Sequence, residues 1–396
     1  MNLSIANPAV APDDELAPVT LYALDRQRAR IRNKLKAAMD RVMKHGQFIL
    51  GPEVAALEAR LADYCGASHA IGVSSGRDAL IMALMAFGVG PGDAVFVPAF
   101  TFSATAGSVA SVGAAPVFVD VEAASFNMDP AALKKAIARV REDGRLRPAA
   151  VMPVDLYGLP ADYEAISAIA ARQEIDVIAD AAQSLGGAAP AGRVGSLGPI
   201  TAVSFYPTKP LGAYGDGGAV LTNDDALAQS VREIRSHGRS GDGDEALRLG
   251  MTGRLDTLQA AVLLAKIEVF DEELARRQTI AERYTAALRD VVATPDVAAG
   301  CRSAWALYTV RISDRDRARR DLSEAGIQTG LFYPTPLHRH AAFRPFVSAD
   351  ESHPVAEQLS REVLSLPIYP DLTDREVDRV IAAVKNVAAE QTAASA

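Results

Sequence analysis

From about residue 66 to residue 222 the chain alternates between short apolar runs and longer amphipathic stretches, and this alternation restricts the fold more than any other feature. Strands are expected at 94–97, 115–120, 149–154 and 175–180, with two more at 201–205 and 218–222. Helical patterns fall between them at 104–112, 130–140 and 162–172. Parallel strands need a crossover, and a helix of this length supplies one, so the spacing predicts an α/β fold with a mainly parallel sheet covered on both faces. No Gly-x-Gly-x-x-Gly follows the first strand, which removes the usual dinucleotide fingerprint. Nor does the chain contain a Gly-x-Ser-x-Gly elbow or a Walker loop, so the common hydrolase and NTPase readings fall away too.

The flanks read differently. Residues 1–20, rich in Pro, Ala and Asp, are expected to be an irregular arm. Over 21–44, Leu24, Ile31, Leu35, Met39 and Val42 share one helix face, and Val54, Leu57, Leu61 and Cys65 mark a second helix closed by Gly66. Beyond the alternating region one long helix is expected over 254–288. An alternating segment at 306–313, helices at 316–325 and 374–388, and a frayed tail at 391–396 follow. This divides the chain into an arm and helix (1–45), a large domain (46–274) and a smaller C-terminal α+β domain (275–396).

At 396 residues the chain is long enough for two domains. Its net charge of −8 argues against nucleic acid or an anionic membrane as the main partner. Cys65 and Cys301, the only two cysteines, build no disulfide framework, which favours a reducing compartment. The N-terminus has neither a basic n-region nor a long apolar h-region, so a cytoplasmic location is expected. His338 and His340 stand two apart with no carboxylate at a metal-ligand interval, so no metal site is expected.

Three segments carry chemistry. Lys209 lies between an apolar strand and the glycine-rich run Gly212-Ala213-Tyr214-Gly215-Asp216-Gly217-Gly218. A desolvated lysine loses proton affinity and becomes an amine nucleophile near neutral pH. Asp180 ends an apolar strand, at the sheet edge where ligands of open α/β sheets bind, and a carboxylate there calls for a cationic partner such as a protonated pyridine nitrogen. Ser74-Ser75-Gly76-Arg77 opens an apolar helix, whose free N–H groups suit a phosphate. Each has a plainer reading: a turn lysine reaching solvent, an N-cap aspartate, and ordinary helix capping.

Taken together the segments resemble the fold-type I pyridoxal-phosphate enzymes, and more narrowly the DegT/DnrJ/EryC1/StrS sugar aminotransferases. The supporting phrases are Gly46-Gln47-Phe48-Ile49-Leu50-Gly51-Pro52-Glu53-Val54, Pro98-Ala99-Phe100-Thr101-Phe102, Asp180-Ala181-Ala182-Gln183-Ser184, Ser204-Phe205-Tyr206-Pro207-Thr208-Lys209 and Arg254-Leu255-Asp256-Thr257-Leu258-Gln259-Ala260-Ala261. The resemblance implies a seven-stranded-type sheet, pyridoxal 5′-phosphate as cofactor, and a homodimer with shared active sites. It makes Lys209 the Schiff-base lysine and Asp180 the partner of the ring nitrogen. Gln183 would contact the ring or its phenolic oxygen, Phe102 would stack on the ring, and Ser204 with Ser75, Gly76 and Arg77 would hold the phosphate. Thr252 stands where the family commonly has an asparagine reaching the neighbouring subunit's cofactor, and Arg77 where it commonly has threonine. Arg254, Tyr333 and His338 fall on the substrate side.

The activity implied is amino transfer from L-glutamate to a nucleotide-linked keto sugar. The run from Lys209 to Gly218 looks most like members acting on C3, among them those using UDP-2-acetamido-2-deoxy-3-oxo-glucuronate in bacterial O-antigen synthesis. Alternatives on the same scaffold are a GDP- or dTDP-linked 4-keto sugar aminotransferase, a sugar dehydratase, or a non-enzymatic regulator. The dehydratase relatives have histidine in place of the lysine, so Lys209 speaks against that reading.

Overall fold

The computed structural model describes residues 17–240 and 243–395. Most of the expected arm, 1–16, lies outside the described residues. Its described end is not loose: Val19 is fully buried and forms a parallel bridge with Ile327.

Eleven strands are present among the described residues: β1 (His69–Val73), β2 (Asp93–Pro98), β3 (Ala115–Val119), β4 (Arg147–Val151), β5 (Asp176–Asp180), β6 (Ala188–Ala189), β7 (Gly192–Arg193), β8 (Ile200–Ser204), β9 (Gly218–Thr222), β10 (Tyr308–Arg311) and β11 (Val363–Leu366). Seven of them form one sheet in the order β1-β9-β8-β5-β4-β2-β3. It is parallel from β8 through β3, while β9 runs antiparallel to both of its neighbours. The expected α/β fold with a mainly parallel sheet is what forms.

The helices are α1 (Leu24–Arg30), α2 (Arg32–His45), α3 (Pro52–Cys65), α4 (Gly76–Ala86), α5 (Ala104–Ser111), α6 (Pro130–Asp143), α7 (Tyr163–Gln173), α8 (Asp225–Ile234), α9 (Thr257–Ile267), α10 (Phe270–Leu288), α11 (Arg315–Glu324), α12 (Pro354–Glu362) and α13 (Asp374–Ser395). Successive strand residues point to opposite faces, and here both faces are covered. Val95 and Val97 join Leu80 of α4 and Val231 of α8 in one core. Ala94 and Phe96 pack instead with Leu133 of α6 and Ile166 of α7. Leu57 of α3 and Leu263 of α9 close a third core over Val203 and Leu221. The antiparallel pair β10–β11 packs with α10, α11 and α13. Leu337, Phe343 and Leu359 return to the core of the large sheet, which brings the segment after residue 330 across its edge.

Three expected elements are corrected. The helix over 21–44 is kinked at Ile31 (φ −106°, ψ 17°), although its hydrogen bonds continue through the kink. The helix over 254–288 is two helices. Residues 254–256 are extended, since Arg254 bridges Val73 and Asp256 bridges Ile49. At Val269 the amide bonds Lys266 O, three residues back, which tightens the turn between α9 and α10. The predicted tail is helical as far as Ser395, in keeping with an alanine-rich sequence of high helix propensity.

Candidate active site

Strand register assembles the site. Asp180, the last residue of β5, lies beside Ala202 of β8. Two residues further on, Ser204 lies beside Gly218, and Gly218 lies beside Val73 of β1. Strand ends distant in sequence therefore meet along one edge, and the segment leaving β1 enters α4 there. Gly218 has to be glycine: a Cβ would sit 2.6 Å from the Ser75 carbonyl carbon and oxygen. Gly76 is pressed against Ser204, where a Cβ would come within 2.5 Å of the serine Cβ.

At the start of α4 the Ser75 hydroxyl accepts from Asp78 N at 3.0 Å, capping the helix. The amides of Gly76 and Arg77 belong to the first turn and have no intrahelical partner. With the Ser204 hydroxyl alongside, they form a small cradle of donors for an anion. Arg77 contributes only its amide, because its exposed side chain turns away and donates to Ser111 Oγ at 2.7 Å. The Ser75 side chain is likewise taken up by its own helix.

The lysine turn follows β8. Lys209 N donates to Tyr206 O at 2.8 Å, and Ala213 N returns to Phe205 O at 2.7 Å. The turn closes so tightly that a Cβ on Gly212 would meet Pro207 O at 2.4 Å. Burial lowers the Lys209 ammonium to about 8, against the opposing pull of the Asp180 carboxylate. Asp180 is buried, and burial raises its carboxyl; hydrogen bonds from Thr105 and the Ala182 amide, and then the Lys209 charge, oppose that rise. Thr105 Oγ1 donates to Asp180 Oδ2 at 2.8 Å and Ala182 N to Oδ1 at 3.2 Å. An ionised carboxylate has about four lone-pair positions, so capacity for a further donor remains.

The walls come from loops. Phe102 is 56% exposed, with its ring centroid 6.0 Å from that of Tyr333. Gln183 is buried and committed at both ends: Oε1 accepts from Tyr157 N at 2.8 Å, and Nε2 donates to Tyr333 Oη at 3.2 Å. Tyr157 has φ of 60°, a strained value for a residue with a side chain, and its hydroxyl donates to Phe332 O. Gln183 thus fixes both the strained turn and the Tyr333 loop. Asp155, also at a strand end, is fully buried and accepts from Ser184 Oγ, Tyr163 Oη and Ala161 N, a structural network.

Some expected residues are placed elsewhere. His338 is 3% exposed, its Nε2 lies 2.9 Å from Glu357 Oε1, and its ring packs 4.7 Å from that of His353. The segment returns to the apolar core and carries the ring inward, so burial gives its expected place on the substrate side no support. Thr252 is exposed, and its hydroxyl lies 3.3 Å from His237 Nε2. Arg254 is half-buried beside Val73, where Ser74 N bonds the preceding Gly253 O at 3.1 Å. It therefore flanks the anion cradle.

Two residues escaped the sequence reading. Thr105 looks like an ordinary residue of a short helix, and nothing local marks it. Lys266 stood among Val262, Leu263, Ala265 and Ile267 as the one cation on an apolar face, a legible signal. It is 2% exposed, donates to Gly212 O at 2.6 Å and lies 4.3 Å from the Tyr214 ring centroid. A small cavity of about 30 Å3 joins it to Lys209, Tyr22 and Arg277. A larger cleft of about 400 Å3 lies between the 122–128 and 159–164 segments and Cys301, away from every one of the proposed catalytic and cofactor residues. Chemistry therefore locates the site better than volume does.

The model of the DegT/DnrJ/EryC1/StrS aminotransferase family matches residues 29–385. The chain is 45% identical over 366 residues to the UDP-2-acetamido-2-deoxy-3-oxo-D-glucuronate aminotransferase of Pseudomonas aeruginosa, covering 92% of this chain and 98% of the relative. It is 39% identical to the dTDP-3-amino-3,4,6-trideoxy-alpha-D-glucose transaminase of Streptomyces venezuelae, over 90% of this chain and 92% of that one. Among solved structures, a DegT DnrJ EryC1 StrS aminotransferase from Brucella abortus superposes with a TM-score of 0.91 at 47% identity, covering 93% of this chain and 99% of the other. The Bacillus subtilis protein ntda, solved with bound cofactor pmp, superposes with a TM-score of 0.87 at 28% identity, covering 96% and 87%.

Proposed function

The chain belongs to the DegT/DnrJ/EryC1/StrS aminotransferase family, and on that premise we propose that it uses pyridoxal 5′-phosphate to move an amino group from L-glutamate to a nucleotide-linked keto sugar. The reading favoured is a UDP-linked 3-keto sugar such as UDP-2-acetamido-2-deoxy-3-oxo-glucuronate, in cytoplasmic synthesis of an amino sugar for a bacterial surface polysaccharide. A GDP- or dTDP-linked keto sugar is the second reading, motivated by the similarity to the Streptomyces transaminase.

One observation carries the proposal: an amine, a buried carboxylate with spare acceptor capacity, and an anion cradle converge on one sheet edge. Those donor and acceptor types match the aldehyde, the ring nitrogen and the phosphate of the cofactor, so the residues fit it. When bound, the cofactor ring supplies an electron sink for the bond-breaking at the amine-bearing carbon. Asp180 would keep the ring nitrogen protonated, and Phe102 would cover a ring face. Ser204 and the amides of Gly76 and Arg77 would hold the phosphate. Lys209 would hold the cofactor covalently and, once released, its Nζ would take the proton from the amine-bearing carbon and return it. Arg254 is the proposed contact for a substrate diphosphate or uronate carboxylate, both of which suit a guanidinium. Tyr333, held by Gln183, is proposed to face the sugar.

We also propose a homodimer in which Thr252 reaches the neighbour's cofactor, and the division of the chain at residues 45 and 274. The exposed apolar residues Phe48, Ile49, Leu50 and Leu249 support association, since the 48–50 segment pairs with residues 256–257 close to Thr252 in sequence. Among the described residues no helix is long and apolar enough to cross a membrane.

The test is a panel of UDP-, GDP- and dTDP-linked keto sugars with L-glutamate, read by mass spectrometry. The expected result is an aminated UDP-3-keto sugar, preceded by a move of the cofactor's absorbance to shorter wavelength on adding glutamate alone. Amination confined to 4-keto sugars would replace the first reading with the second. No absorbance change would remove the aminotransferase reading.

A further inference from the structure

We propose that Thr105 is a positioning residue for Asp180, orienting its carboxylate and keeping it ionised for the cofactor. The inference rests on reading Asp180 as the partner of the ring nitrogen, and it adds a residue of this chain's own that acts through that carboxylate.

Thr105 is the second residue of α5 and is 1% exposed. Its amide donates to Phe102 O at 3.3 Å, so it belongs to the same turn as the exposed aromatic. Its hydroxyl donates to Asp180 Oδ2 at 2.8 Å, across 75 residues of sequence. Thr105 follows β2 and Asp180 ends β5, and these strands are not neighbours; β4 lies between them. The contact therefore spans a strand and ties the Phe102 turn to the carboxylate. The direction of donation is not a matter of choice, because an ionised carboxylate only accepts.

The environment makes this bond consequential. The titratable groups facing Asp180 are Lys209 from the turn after β8, Asp155 from the loop after β4, Tyr163 at the start of α7, and Tyr333 from the loop across the edge. Only Lys209 among them can be cationic. Burial favours the neutral acid, and a protonated Asp180 cannot serve as a charged partner. A hydrogen bond donated to the charged form opposes that protonation. The second bond to the carboxylate, from Ala182 N, is the longer at 3.2 Å.

The experiment measures binding of pyridoxal 5′-phosphate to the cofactor-free full-length protein by calorimetry across a pH series, with circular dichroism to check the fold. In the native chain affinity should fall on the acid side as Asp180 protonates. Thr105→Val removes the hydroxyl while keeping the shape, and should move that acid limb up by about one to two pH units. Thr105→Ala, which avoids any steric difference at the second methyl, should do the same, and Thr105→Ser should restore the native limb. Asp180→Asn should remove the share of the limb that Asp180 contributes and leave that of Lys209, and adding Thr105→Val to Asp180→Asn should change nothing more. A limb in Asp180→Asn identical to the native one overturns the reading of Asp180 and the proposal with it. A limb altered in Asp180→Asn but unmoved in Thr105→Val and Thr105→Ala overturns the role of Thr105 alone. An added loss in the double variant shows that Thr105 acts through structure, and overturns it as well.

Discussion

Two lysines, Lys209 and Lys266, are both lowered by burial to about 8, so acidity alone does not single out the nucleophile. Geometry does. Lys266 is 2% exposed and its Nζ is committed to Gly212 O, whereas Lys209 remains partly accessible at the sheet edge. Borohydride treatment of the native protein with pyridoxal 5′-phosphate should therefore label Lys209, with peptide mapping as the check; label on Lys266 would refute the assignment. Because the Lys209 value is lowered, its neutral amine predominates above pH 8. Capture of the cofactor should accelerate as pH rises through that value, and Lys209→Ala should abolish it. Gly76 makes a second residue-scale case. Gly76→Ala forces the start of α4 away from Ser204, at a strain cost of about 1–3 kcal/mol. The expected result is a folded protein with cofactor affinity weakened at least about tenfold, measured by titration of the cofactor-free form. Lys209 and Asp180 were legible in the sequence as residues set at the ends of apolar runs. Gly76 was legible only as a glycine before a helix, since its neighbour Ser204 is supplied by the sheet.

Among elements, the pair α9 and α10 shows how periodicity can be read correctly and still mislead. The apolar positions continue through residue 269, yet Ala260 and Leu263 serve the core over β8 and β9 while Ile280 and Tyr284 serve the core of β10 and β11. Two surfaces at different angles need two axes, and the tightened turn at Val269 supplies the change. Lys266, at the end of α9, buttresses the Lys209 turn through Gly212. Its folded-state value lies below its ordinary one, so between about pH 8 and 10 the unfolded chain binds more protons than the folded chain. The penalty for burying this charge is fully present below pH 8 and is relieved as pH rises through that window. In melting experiments the native chain should therefore gain on Lys266→Met as pH rises from about 8 to 10. A gap that does not change with pH would mean that the amine holds its proton as tightly in the folded chain as in the unfolded one. Lys266→Met should also slow cofactor capture at Lys209, because the turn loses its buttress.

For the whole molecule, the proposed homodimer predicts sedimentation at twice 41.8 kDa, and an active monomer at assay concentration would exclude a shared site. Leu249 is 87% exposed, three residues from Thr252. Leu249→Asp should weaken association, and Thr252→Val should lower cofactor affinity by about 0.5–1.5 kcal/mol if its hydroxyl reaches the neighbour's phosphate. Both are read by sedimentation and cofactor titration. From the sequence by itself came the α/β class, the positions of six of the seven sheet strands and most helices, the family, and the lysine and aspartate proposed as its centre; the edge strand β1 went unread. These follow from periodicity and from motifs a few residues long, where the information lies in adjacent positions. Tertiary structure alone decided that Thr105 meets Asp180 across β4, that Gly76 rests on Ser204, that Lys266 props the lysine turn, and that His338 turns into the core. Each of those depends on strand order and helix direction, which bring together residues tens to hundreds of positions apart, and no local pattern records which distant side chain will stand opposite.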